Sequence, residues 1–186
     1  MYTIADTEMQ RKTHPDIIVA LVTEAKNNPA AFGKLYDHFV QPIYRYLYSQ
    51  VGSAHEAEDL TSQTFIAAYE ALPRYSERGQ FAAWLFRIAR SKLMDHFRGS
   101  KHESGLEAAE RPAEGMDTLN SLIQDEEISR LKFLIQGLNA KEQDLIHLRY
   151  VAELSFPEMA EVLGKGEDAV RKSVTRLLAR LRSQME

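Results

Sequence analysis

The stretch Gln80–Arg98, QFAAWLFRIARSKLMDHFR, constrains the fold more than any other part of the chain. Phe81, Trp84, Leu85, Ile88, Leu93 and Phe97 form an apolar stripe at three- and four-residue steps, the signature of an amphipathic helix. Arg87, Arg90, Lys92, His96 and Arg98 supply basic and polar side chains, and Asp95 is the only acid. Such a helix can pack on one side and offer cations to phosphate on the other. Aromatic rings beside a cationic track also stack on unpaired bases, at about 1–3 kcal/mol per base. An ordinary amphipathic helix with solvated arginines has the same composition, so the rest of the chain must decide.

The other segments are helical too. A short helix, IIVALVTEAKNN, follows Pro15 and Asp16 and is closed by Asn27, Asn28 and Pro29. A second runs from about Ala30 to Val51, with Phe32, Leu35, Tyr36, Phe39, Ile43, Tyr46 and Leu47 on its buried face. Pro42 is expected to kink it, and Gly52 ends it. Ser53 and Glu56 form a capping-box pattern opening a third helix, AHEAEDLTSQTFIAAYEAL. There Ala57, Leu60, Thr64, Ala68 and Ala71 face inward, while Asp59, Gln63, Ile66 and Glu70 share another face. An acidic face with an exposed isoleucine suits docking on a basic partner. Acids near a helix start also arise simply from its dipole. The loop Pro73–Gly79 then carries Tyr75, Arg74 and Arg78, and is either a plain connector or a holder for an extruded base.

Charge is unevenly spread. The 186 residues carry a net −4, which seems to argue against nucleic acid. Yet residues 1–101 balance to +1, residues 102–127 to −7 and residues 128–186 to +2. The acidity is concentrated in residues 102–127, and the overlapping segment GSKHESGLEAAERPAEGMD is read as a flexible acidic tether between two helical domains. The expected division is a loose arm over 1–14, a helical bundle over 15–100, an acidic linker over 101–118 and a second helical domain over 119–186. The fold class is all-α.

The second domain opens with a helix from about Leu119 to Gln136. Asn139 then caps KEQDLIHLRYV, in which Leu145, Leu148 and Tyr150 are expected to be buried. Ser155 starts FPEMAEVL, with Pro157 tolerated in its first turn. Gly164-Lys165-Gly166 makes a tight turn, and EDAVRKSVTRLLARLRSQM buries Val170, Val174, Leu177, Leu178 and Leu181. This is helix–turn–helix organisation, whose last helix is free to enter the major groove. Glu167, Asp168, Arg171, Lys172 and Thr175 lie near its start, placed for base edges and phosphates.

No catalytic site, metal site or cofactor is expected. His14, His38, His55, His96, His102 and His147 lack metal-ligand spacing, and no Gly-rich phosphate loop or nucleophile elbow occurs. Without cysteine there is neither disulfide nor thiolate chemistry, which fits a cytoplasmic protein. No run of about 18 apolar residues suggests a membrane span.

AEDLTSQTFIAAYEAL followed by RYSERGQFAAWLFRIARSKLMDHFR resembles region 2 of the extracytoplasmic-function (ECF) sigma factors of bacterial RNA polymerase. LNAKEQDLIHLRYVAELSFPEMAEVLGKGEDAVRKSVTRLLARLR resembles their region 4. The resemblance implies a subunit that directs core polymerase to promoters. It implies that Asp59, Leu60, Gln63 and Ile66 bind the clamp helices of the largest polymerase subunit, with the polymerase flap as a second contact. It implies opening of the −10 element by Tyr75, Arg78, Trp84, Arg87, Arg90, Lys92, Asp95 and Arg98, Trp84 having a structural role as its alternative. It implies reading of the −35 element by Arg171, Lys172, Thr175 and Arg176, and an anti-sigma partner. Ser91 replaces the family's frequent Asn, and Glu167-Asp168 replace an uncharged helix start, so both promoter preferences should differ. A self-sufficient helix–turn–helix regulator and an anti-sigma-binding adaptor are the alternatives.

Overall fold

A computed structural model describes residues 15–76, 78–103 and 126–185. The arm over 1–14, most of the acidic tether and the start of the helix expected from Leu119 lie outside the described residues. Among those described, every regular element is a helix.

Three consecutive helices lead into the Trp84 helix. α1 spans Pro15–Ala25, α2 Pro29–Val51 and α3 Ala54–Ala71. Asn28 caps α2 by accepting the Ala30 N–H at 3.0 Å, with Pro29 at the position where a missing N–H costs nothing. α2 continues through Pro42 and stops at Gly52, whose φ of 76° is the left-handed conformation that terminates helices. Ser53 caps α3 through the Glu56 N–H, while the Glu56 carboxylate lies 3.7 Å from His96 rather than being confined to its own cap. A 3₁₀ turn, Leu72–Arg74, leads toward α4, Phe81–Glu103. α4 runs past Gly99 into residues read as tether, because one glycine costs a helix only about 1 kcal/mol and propagation from a long helix is easy.

The second half holds α5 (Glu126–Gln136), α6 (Ala140–Ile146), a π-helical turn (His147–Val151), α7 (Phe156–Leu163) and α8 (Glu167–Met185). Asn139 with Glu142, and Ser155 with Glu158, are complete capping boxes, which is why α6 and α7 begin where they do. Gly164, at φ 62°, turns the chain from α7 into α8.

Some expected burials fail. Tyr150 is 53% exposed, because it stands two residues after the buried Leu148 and therefore on the opposite side of the helix. Leu178 is 37% exposed, and α8 buries Val170, Val174, Leu177 and Leu181 alone. Tyr36 likewise lies on the surface, its ring edge-on to Phe65 at 4.7 Å.

The two halves are in direct contact. Ile43, Tyr46, Leu47, Leu85, Phe86, Leu93, Leu148, Met159 and Val170 are all buried in one apolar cluster that runs through both. α4 lies against α7, and α2 against the π turn.

Candidate nucleic-acid interface

Three surfaces carry the residues expected to bind. On α3, inward packing of Ala57, Thr61, Thr64 and Ala68 turns Asp59, Gln63 and Ile66 to solvent, Ile66 being 60% exposed. Gln63 donates to Asp59 at 2.7 Å across one turn, which holds the carboxylate on this face. Tyr69 extends the apolar part. Leu60 is different: it is buried with the core and has no side-chain surface to offer. Its period-four spacing from Thr64 and Ala68 was the available signal.

The second surface is the loop before α4 with α4 itself. Tyr75 packs on Trp84 with ring centroids 4.6 Å apart, and both meet Phe81. Trp84 is therefore part of an aromatic wall supporting the loop. Lys26, in the turn after α1, donates to the Tyr75 carbonyl at 2.6 Å and ties the loop from the other side. Arg78 is exposed, next to Gly79 at φ 72°.

Along α4 the cations separate into two groups. Arg98 pairs with Asp95 within the helix, and Lys92 is half-buried nearby. Arg87 and Arg90 instead turn toward the second half. Arg87 pairs with Glu161 of α7 at 2.9 Å, and Arg90 donates to Asp144 of α6 at 2.9 Å. The Asp144 side chain is only 5% exposed and also accepts from the Tyr46 hydroxyl at 3.0 Å. Beside it Gln50 and His147 lie within hydrogen-bond distance at 2.8 Å. None of Tyr46, Gln50, Asp144 and His147 was expected to matter. The signal for two of them was present, since Gln50 and Asp144 occupy apolar-stripe positions of their helices, where a polar group demands a partner.

The third surface is the start of α8. Arg171, Lys172, Thr175 and Arg176 are all exposed, as expected. Thr175 donates to the Arg171 carbonyl at 2.9 Å, a bond internal to the helix. Arg171 pairs with Glu167 one turn earlier, so this acid offsets part of the repulsion that it would exert on phosphate.

A helical bundle with an exposed acidic–apolar face and a cationic aromatic helix, joined to a helix–turn–helix, defines a sigma-70-type protein. The family models described as Sigma-70 region 2 and Sigma-70, region 4 match residues 35–103 and 134–183. BldN of Streptomyces coelicolor, an ECF RNA polymerase sigma factor, is 36% identical over 88% of this chain and 65% of its own length. SigD of Mycobacterium tuberculosis, another, is 31% identical over 78% of this chain and 73% of its own. The solved structure of CnrH in complex with the cytosolic domain of CnrY has a TM-score of 0.65 at 26% identity, over 91% of this chain and 96% of that one. The chain belongs to the ECF sigma factors of RNA polymerase. No helix among the described residues is long and apolar enough to cross a membrane.

Proposed function

We propose that this protein directs core RNA polymerase to specific promoters, working in the cytoplasm by binding alone and without catalysis of its own. The outer face of α3, with Asp59, Gln63 and Ile66, docks on the clamp helices. The Tyr75–Arg78 loop and the cations of α4 capture the unpaired −10 strand, offsetting an unpairing cost of a few kcal/mol per base. Arg171, Lys172, Thr175 and Arg176 of α8 read the −35 element. A regulatory protein partner, an anti-sigma factor, belongs to the same reading, because CnrH was solved with a bound protein domain.

The observation that carries the reading is the division of surfaces. Asp59, Gln63 and Ile66 stand together on one exposed face, and the DNA-reading side chains of α8 stand exposed on another. Arg87 and Arg90, by contrast, are engaged by Glu161 and Asp144. The free protein therefore withholds part of its −10 surface, and polymerase binding must separate the halves.

The test is transcription from a promoter library with cognate core polymerase, comparing the natural protein with Asp59→Arg. The variant should keep its helical circular dichroism and lose transcription together with core association. Undiminished transcription by a folded Asp59→Arg protein would remove the clamp assignment. Tight DNA binding without polymerase would favour a stand-alone regulator.

A further inference from the structure

Phe156 occupies the first position of α7, and two guanidinium groups lie over its ring. The Arg171 guanidinium carbon is 4.6 Å from the ring centroid and that of Arg149 is 4.9 Å. The ring's orientation is set by the helix start. Ser155 caps α7 in a reciprocal box with Glu158, so the backbone carrying Phe156 is fixed. Arg149 donates to the Leu154 carbonyl at 2.7 Å, locking the turn that precedes it. Arg171 thus has two partners, the aromatic face on one element and the Glu167 carboxylate on its own helix.

We infer that Phe156 is a positioning residue for −35 recognition: it seats Arg171 in one rotamer at the start of α8, ready for a base edge. This rests on the proposal that Arg171 reads the −35 element. The physical reason is entropy. An arginine side chain carries about 2 kcal/mol of rotamer freedom, and a contact that confines it beforehand leaves less to lose on DNA. An exposed ion pair with Glu167 is weak on its own, and the cation–π contact adds a second restraint from a different helix. The seat discriminates geometrically: a guanidinium held over a ring approaches one base pair and not its neighbours. Phe156 itself is half-buried against the apolar cluster, and its ring is covered by cations.

The test uses the full-length protein with cognate core polymerase and transcription from a library randomised at the −35 element. The natural protein is compared with Phe156→Leu, Phe156→Trp, Arg171→Ala and the Phe156→Leu/Arg171→Ala double variant, each checked for helical content and melting temperature. Leucine preserves apolar burial and removes the cation-binding face. Phe156→Leu should lower discrimination about two- to five-fold at the positions that Arg171→Ala also relaxes. Phe156→Trp should retain it, because indole binds cations at least as well. The double variant should discriminate no worse than Arg171→Ala alone.

The inference is overturned if folded Phe156→Leu keeps full discrimination, or if its effect persists in the Arg171→Ala background, which would mean that the ring touches DNA itself. If Arg171→Ala leaves the −35 preference unchanged, both this inference and the assignment of Arg171 fall. If Arg171→Ala relaxes the preference and Phe156→Leu does not, only the seat is lost.

Discussion

Arg90 of α4 and Asp144 of α6 are bonded at 2.9 Å across the junction between the two halves of the protein. The carboxylate is nearly buried, and its second oxygen accepts from Tyr46, which has no exposed surface. A buried charge of this kind is stable only while its partners are present. Asp144→Ala should therefore cost about 1–3 kcal/mol, the penalty of orphaning a buried hydroxyl and losing a charged bond. Urea unfolding followed by circular dichroism measures it. A loss below a few tenths of a kcal/mol would show that the junction is already open in solution.

Glu161 holds Arg87 differently. Both side chains are about half exposed, so the pair contributes little to stability. Its consequence concerns DNA. Glu161→Gln should leave the melting temperature almost unchanged and release one cation for phosphate. Binding of the free protein to single-stranded DNA should gain about one additional contact, steepening the salt dependence by about 0.7 in log–log slope. Fluorescence titrations across a salt series check this, and an unchanged slope would mean that Arg87 does not reach phosphate.

Acid should weaken the fold in two stages. Burial holds the His38 pKa below the ordinary histidine value. The unfolded chain then takes up that proton more readily, so stability is intact above about pH 6.5 and declines as the pH falls below it. A hydrogen bond from Arg180 at 2.8 Å holds Glu142 below its ordinary value, and the same contact raises the Arg180 pKa. The Glu142 contribution is present above its unfolded pKa and is lost only as the pH drops through its lower folded value. Melting temperatures from pH 8 to pH 3 should show His38→Gln flattening the upper part of the decline. Glu142→Gln should flatten the lower part, while melting below the natural protein at neutral pH. The reverse assignment of the two segments would contradict these environments.

What the sequence shows of this fold is local. Asn139 with Glu142, Ser155 with Glu158 and the Gly164 turn announce helix boundaries because their chemistry is completed within a few residues. The outward set on α3 is equally legible, since inward alanines and threonines leave Asp59, Gln63 and Ile66 no other direction. Leu60 is the instructive exception. Its motif position suggested a binding role, while its phase on the helix already placed it inside. Tyr150 was legible as well, since a residue two positions past the buried Leu148 cannot share its helix face. Asp144 is the hardest case: its partner Tyr46 lies 98 positions away, and only packing of the two halves brings them together. A charged residue at an apolar phase was a demand for a partner without an address.

The Lys26–Tyr75 bond joins residues 49 positions apart and ties down the loop before α4. The ammonium group of Lys26, just past the end of α1, donates to a loop carbonyl at 2.6 Å, and the same tyrosine rests on Trp84. Trp84 is the only tryptophan, so its emission reports on this loop without labelling. Lys26→Met keeps the aliphatic stem and removes the donor. A partly buried charge-assisted bond is worth about 1.5–3 kcal/mol at most, and its loss should act first on the loop rather than on the helices. Acrylamide should then quench Trp84 more efficiently while the far-ultraviolet circular dichroism stays constant. Lys26→Arg should restore protection, because a guanidinium can donate to the same carbonyl. Equal quenching in all three proteins would show that the aromatic wall of Phe81 and Trp84 fixes Tyr75 without help from Lys26.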